Sequence, residues 1–223
     1  MSVAKIYFLG GEDVVKRTME KTNKRAMEDA GGNPVALVFP WTAEVENRNY
    51  RRIAIDYFRD IGAKRMIFAE LTDGIRELRE KIDLSDLIYL PGGDTDLLFR
   101  RLKDSGVSPL LKRYEGIILG NSAGSLVVCK RYAVVKGQDG RPRTGAIRGI
   151  GLVDFAVSVH YRSPDRSYSG EEPDKELRAL SKRVAAAIYA IPENGALIFD
   201  EGKFGFAGEI YKFYRGKRTK CKN

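Results

Sequence analysis

Short apolar runs recur along the first 120 residues and alternate with segments of helical spacing. The runs lie at residues 4–10, 34–40, 64–69, 86–90 and 116–120, and their centres are apolar throughout. A strand that is apolar on both faces is one covered on both faces, which is the pattern of a parallel sheet and not of a half-wet antiparallel one. Helical signals fall at residues 14–30, 44–61, 94–103 and 122–130. In the second of these, Ile53, Ala54, Tyr57, Phe58 and Ile61 repeat at helical spacing. The first stops at Gly31-Gly32, a suitable C-cap. The alternation predicts an α/β fold of three layers, αβα, with a mainly parallel central sheet and right-handed crossovers.

Beyond residue 131 the pattern loosens. Short strands are expected at residues 133–136, 152–160, 187–191 and 197–199, a helix at 175–187, and a closing hairpin at 204–213. The segment 161–173 is a long polar loop, a type that is often functional. No repeat, low-complexity segment or linker divides the chain, so residues 1–223 are expected to form a single domain.

The net charge of +9 invites a nucleic-acid reading, but its distribution argues against one. Six lysines and arginines and no acid fall in the last 13 residues, and without them 33 basic residues face 30 acidic ones. The excess is therefore expected to be a solvated basic tail at about 215–223, with no nucleic-acid partner. No apolar run approaches the roughly 18 residues that span a bilayer, so no membrane association is expected. The N-terminus reads as a first strand and not as a signal peptide. Cys129 and Cys221 have no metal-ligand spacing, and one histidine with two cysteines cannot build a usual zinc site. A reducing cytoplasm, free thiols and no metal or cofactor are the expectations.

Gly120-Asn121-Ser122-Ala123-Gly124 stands where the fifth apolar run meets a helical segment. In that context Gly-x-Ser-x-Gly forms a nucleophile elbow, a strained turn that projects the hydroxyl above the sheet. Side chains at the two flanking positions would strike neighbouring backbone, hence glycine. The alternative is a tight strand-to-helix turn in which Ser122 caps the helix. Acyl transfer also needs two donors aimed at the developing oxyanion. The N–H of Ala123, at the start of a helix, is one candidate. Gly93, in the Pro91-Gly92-Gly93 end of the fourth strand, is the second, against the alternative of a simple turn before a helix cap at Asp94 or Thr95.

A serine hydroxyl needs a base, and His160 is the chain's one histidine. It ends the alternating stretch 153–160, just before the polar loop. A third group must hold the imidazole. Glu193, in a turn between two short apolar strands, is the choice, with Asp139 and Asp154 as competitors. The order Ser122, His160, Glu193 differs from that of ordinary α/β-hydrolases, in which the histidine comes last.

Four motifs, LPGGDTDLL, ILGNSAGSL, SVHYR and IPENGALI, together resemble the peptidase E family of aspartyl dipeptidases and, more distantly, the cyanophycinases. Their order and spacing cover residues 88 to 200. The resemblance implies a class I glutamine amidotransferase-like, flavodoxin-like fold with serine in place of the nucleophilic cysteine. It implies a Ser-His-Glu triad on Ser122, His160 and Glu193, an oxyanion hole near Gly93 and Ala123, and a small peptide or amide as substrate. A monomer or homodimer is expected. The family reads the substrate's acidic side chain with an arginine in the loop after the histidine. Here Pro173 falls near that position, leaving Arg162, Arg166 or Lys175 as out-of-register substitutes. Besides a dipeptidase, the readings left open are an ester, amide or isopeptide hydrolase on the same triad and a non-catalytic binding domain.

Overall fold

A computed structural model describes residues 4–44, 48–138, 141–163 and 172–222. The five N-terminal runs are strands β1 (Lys5–Leu9), β2 (Val35–Val38), β3 (Arg65–Phe68), β4 (Leu87–Leu90) and β5 (Ile117–Asn121). The helices are α1 (Glu20–Asp29), α2 (Arg48–Asp60), α3 (Ile75–Asp83), α4 (Thr95–Asp104), α5 (Ser108–Leu111), α6 (Ala123–Val127) and α7 (Glu172–Arg183). The remaining strands are β6 (Arg131–Val134), β7 (Gly145–Arg148), β8 (Ala156–Ser158), β9 (Ile188–Ala190), β10 (Ala196–Asp200), β11 (Lys203–Ala207), β12 (Tyr211–Tyr214) and β13 (Lys217–Lys220).

The central sheet has the order β11-β10-β1-β5-β4-β2-β3. The five strands from β1 to β3 are parallel, and β10 and β11 add antiparallel beyond β1. The pleat explains why β1 is apolar on both faces. Ile6 and Phe8 pack in one core with Leu78 of α3, Leu98 of α4 and Leu126 of α6. Tyr7 and Leu9 pack in the other with Met27 of α1 and Phe58 of α2. Helices thus cover both sides, as the apolar runs require.

Several local expectations fail for identifiable reasons. The helix expected from residue 14 begins only at Glu20. Before it, Asp13 accepts from the Lys16 N–H at 3.0 Å, Thr18 Oγ1 accepts from the Asp13 N–H at 3.0 Å, and Arg17 turns to φ +54°. Those local bonds give the backbone an alternative to the helix. Helix α3 escapes sequence reading because Leu78 and Ile82 alone are buried in a mostly charged segment. The helix expected over 122–130 is the five-residue α6.

The closing hairpin at 204–213 is also corrected. β11 pairs with β10, whereas β12 joins a second sheet of order β13-β12-β9-β8. The true hairpins turn at Glu201-Gly202 and Arg215-Gly216, where all four residues have positive φ. Two-residue turns of that kind match the twist of paired strands. The expected solvated tail is therefore partly β13, paired along its length with β12. Its lysines are exposed while its backbone completes the sheet. Beneath this sheet, Leu177 and Leu180 of α7 pack on Ile188, Ala190 and Phe213.

Deleting residues 215–223 tests the role of β13. The deletion removes the β12 ladder, the Arg218–Asp174 ion pair and the Gly216 bonds to Arg178 and Ser181. A thermal melt is expected to fall by on the order of 5 °C or more, since 1 kcal/mol corresponds to about 2–4 °C at this size. A disposable tail would leave the melt unchanged.

Candidate active site

The carboxyl ends of β1, β5 and β4 lie side by side, and the site is built on them. β5 passes into α6 through one residue, Ser122, with φ +48° and ψ −104°. Such a conformation costs a non-glycine residue about 1–3 kcal/mol and persists where its surroundings fix it. Its N–H donates to Leu9 O at 3.1 Å and its carbonyl accepts from the Leu126 N–H at 3.0 Å. The flanking glycines are sterically required. A Cβ on Gly124 would stand 1.9 Å from Leu90 O, and one on Gly120 would stand 2.8 Å from the Gly124 carbonyl carbon. Ser122 makes no side-chain cap bond to α6, so the helix-cap alternative is not the one the chain adopts. Its Oγ lies instead 2.7 Å from His160 Nε2.

His160 follows β8, is almost fully buried, and donates its backbone N–H to Gly10 O at 3.0 Å. Its Nδ1 lies 2.5 Å from Glu193 Oε1. Glu193 sits in the turn between β9 and β10, tied to β1 by the Asn194 N–H donating to Gly11 O at 3.2 Å and the Gly10 N–H donating to Gly195 O at 3.0 Å. Serine, histidine and glutamate are thus in hydrogen-bond series. Of the competing acids, Asp154 is exposed, reaches Lys130 at 3.5 Å and lines a different cavity. Asp139 lies outside the described residues.

Ala123 follows Ser122 in the chain, and Gly93 lines the same cavity as Ser122. Neither backbone N–H has an acceptor among the described residues. The Gly92-Gly93 loop is pinned by Thr42, whose hydroxyl donates to Gly92 O at 2.8 Å and whose carbonyl accepts from the Asp94 N–H at 2.9 Å. A Cβ built on Gly92 would stand 3.4 Å from Ser122 Cβ. Arg162 is not brought to the site. It pairs with Asp174 at 3.0 Å, stacks over Tyr161, and is not among the described residues lining the cavity. Lys175 is exposed on α7 and Pro173 is buried in its first turn, while Arg166 lies outside the described residues.

Two contributors escaped sequence reasoning. Gly11 is the point on which the histidine and the glutamate pack, since a Cβ there would stand 2.0 Å from Glu193 Oε2 and 2.9 Å from His160 Cε1. The Gly10-Gly11 pair at the end of the first apolar run is the signal that the sequence offers for it. Glu12 comes next and lines the same cavity of about 790 Å³ as Ser122, His160 and Glu193. Its Oε1 accepts from Asn23 Nδ2 at 2.7 Å and from the Tyr57 hydroxyl at 2.9 Å. Burial pushes its carboxyl up from the ordinary 4.5 to about 7, against the lowering effect of those two hydrogen bonds.

A seven-stranded sheet with a glycine-flanked serine turn at its carboxyl edge defines the class of α/β proteins built on a nucleophile elbow. The chain belongs to peptidase family S51, whose family model matches residues 8–206. An uncharacterized peptidase of Pasteurella multocida (strain Pm70) is 28% identical over 96 residues, 40% of this chain and 46% of its own length. An uncharacterized peptidase of Listeria monocytogenes is 26% identical over 98 residues, 41% of this chain and 48% of its own. The chain spans about half the length of the curated relatives it matches. Among solved structures, a peptidase from an acI-B1 Actinobacterium aligns with a TM-score of 0.76 at 18% identity, covering 98% of this chain and 94% of the other. A Listeria monocytogenes EGD-e protein assigned provisionally to peptidase E aligns at 0.70 with 17% identity, covering 92% and 98%. These two likenesses establish the fold, which is the class expected from the sequence.

Glu12 carries a stability prediction. Its folded pKa, about 7, lies above the unfolded value near 4.5, so the folded state holds its proton more tightly. That contribution is fully present below about pH 4.5 and lost as pH rises through about 7, roughly 3 kcal/mol at 1.36 kcal/mol per unit. Glu12→Gln keeps the shape without the charge. Denaturant unfolding is expected to show the variant more stable than wild type at pH 8 and equal to it at pH 4.5.

Proposed function

We propose that this chain is a serine peptidase of short peptides that works through an acyl-enzyme on Ser122. The observation that carries the reading is the unbroken series from Ser122 Oγ through His160 to Glu193, at 2.7 and 2.5 Å. With Nδ1–H donated to Glu193, Nε2 is the free acceptor that takes the serine proton as Oγ attacks the scissile carbonyl. The developing oxyanion is received by the N–H groups of Ala123 and Gly93. The imidazolium then gives its proton to the leaving amine, and a water, deprotonated by the same nitrogen, releases the acid and frees Oγ. Glu193 positions the ring and balances its charge. The sulfur route of the amidotransferases is disfavoured, because Cys129 is fully buried and burial pushes its thiol up to about 12.

Aspartyl dipeptidase specificity has less support than peptide hydrolysis. Lys16 is the one lysine or arginine among the described residues lining the cavity. Hydrolysis of a non-acidic peptide, an ester or another amide on the same triad is the second reading, and that lining favours it. A non-catalytic binding domain would have no use for the serine–histidine contact.

Fluorophosphonate labelling tests the nucleophile. Folded wild type is expected to label, and Ser122→Ala to abolish both labelling and turnover, with kcat down on the order of 10⁴-fold or more. Labelling that survives Ser122→Ala would move the nucleophile elsewhere. Gly11→Ala, which drives Glu193 from the ring, is expected to slow labelling by about 10²-fold or more while the fold is retained, because such misplacement acts on the chemical step. Assays of Asp-X beside neutral dipeptides and small esters then separate the two specificities.

A further inference from the structure

Glu12 has no part in the proton relay, yet it lines the cavity that contains it. Its Oε1 is satisfied by Asn23 and Tyr57. Its Oε2 is buried and has no donor among the described residues. Asn121, directly before Ser122 and lining the same cavity, likewise holds a buried Oδ1 without a donor. Buried acceptors left unpaired are costly and rare, and two in one cavity ask for a common partner that brings donors. A primary ammonium brings three N–H donors and no acceptor, and its charge offsets that of a desolvated carboxylate. The remaining charged lining, Asp13, Glu193 and Lys16, also favours a cation over an acid.

Position narrows the kind of amine. In the first residue of a peptide, the α-ammonium and the following carbonyl are bonded to the same carbon. An α-ammonium pocket must therefore adjoin the nucleophile. Asn121 adjoins Ser122 in the chain, and Glu12 adjoins Gly11, on which His160 and Glu193 pack. A lysine side-chain ammonium, at the end of four methylenes, would call for acceptors further away.

We propose that Glu12, together with Asn121 Oδ1, binds the free α-ammonium group of an N-terminally unblocked peptide, and that the cavity selects this group and not an acidic side chain. The proposal rests on the serine peptidase reading and makes Glu12 a residue of specificity.

The test is fluorophosphonate labelling of Ser122 in competition with alanyl-phenylalanine or its Nα-acetyl derivative. In wild type the free dipeptide is expected to protect at a concentration about ten-fold or more below that of the acetylated one, the effect of roughly one charge-assisted contact. In Glu12→Gln the ratio of the two protecting concentrations is expected to fall to about one, and in Glu12→Asp to take an intermediate value. A residue with a merely structural role would shift both concentrations together and leave the ratio alone. Equal protection by the two peptides in wild type overturns the proposal without need of any variant. A wild-type ratio retained in Glu12→Gln overturns the assignment to Glu12. Protection by Nα-acetyl-lysyl-phenylalanine as strong as that by the free dipeptide overturns the choice of the α-ammonium. Folded wild type that does not label at all overturns the serine reading, and this one with it, so the two failures are read separately.

Discussion

Three consecutive carbonyl groups at the end of the first strand hold the site together. Leu9 O accepts from the N–H of Ser122, Gly10 O from that of His160, and Gly11 O from that of Asn194, next to Glu193. The three hydrogen-bonded groups come from chain segments far apart in sequence and from two different sheets. Each is fixed against the same short piece of backbone. Buried backbone acceptors must be paired in any folded protein, so the bonds that keep the strand end satisfied are also the bonds that set the distances between serine, histidine and glutamate. The absence of side chains at Gly10 and Gly11 follows from this crowding. A Cβ on Gly10 would stand 2.1 Å from Pro192 O.

Much of this was legible because it is encoded locally. The parallel sheet can be read from runs whose centres are apolar throughout. The elbow can be read from two glycines around a serine at the end of such a run, because the clash that demands glycine lies within the turn and its neighbouring strand. His160 needed no geometry, being the single histidine. Glu193 came from its place in a turn and from family likeness, and hydrogen-bond contact with the ring separates it from Asp154.

What escaped was encoded at a distance. The demand for glycine at position 11 arises from a glutamate and a histidine more than a hundred residues away, and no local pattern expresses that. Glu12 looks in sequence like an ordinary acid after a strand, because its burial depends on Asn23 of α1 and Tyr57 of α2. The end of the chain is a different case. Glu201-Gly202 and Arg215-Gly216 are the turn signals in the sequence, whereas the one hairpin expected at 204–213 falls where the chain crosses between sheets. Charge was misleading as well, since exposed lysines on β13 read as a tail even though the backbone carrying them is paired.

The position of β1 between β5 and β10 has a consequence for biosynthesis. β1 leaves the ribosome before its two sheet neighbours, and it pairs with residues 117–121 on one side and 196–199 on the other. A nascent chain that has emerged through α6 already carries Ser122, but neither His160 nor Glu193. Only when translation has passed Asn194 do all three carbonyls of the strand end find their partners. The series from Ser122 through His160 to Glu193 therefore forms late, and a product truncated after α6 carries the serine without the histidine and glutamate that hold it.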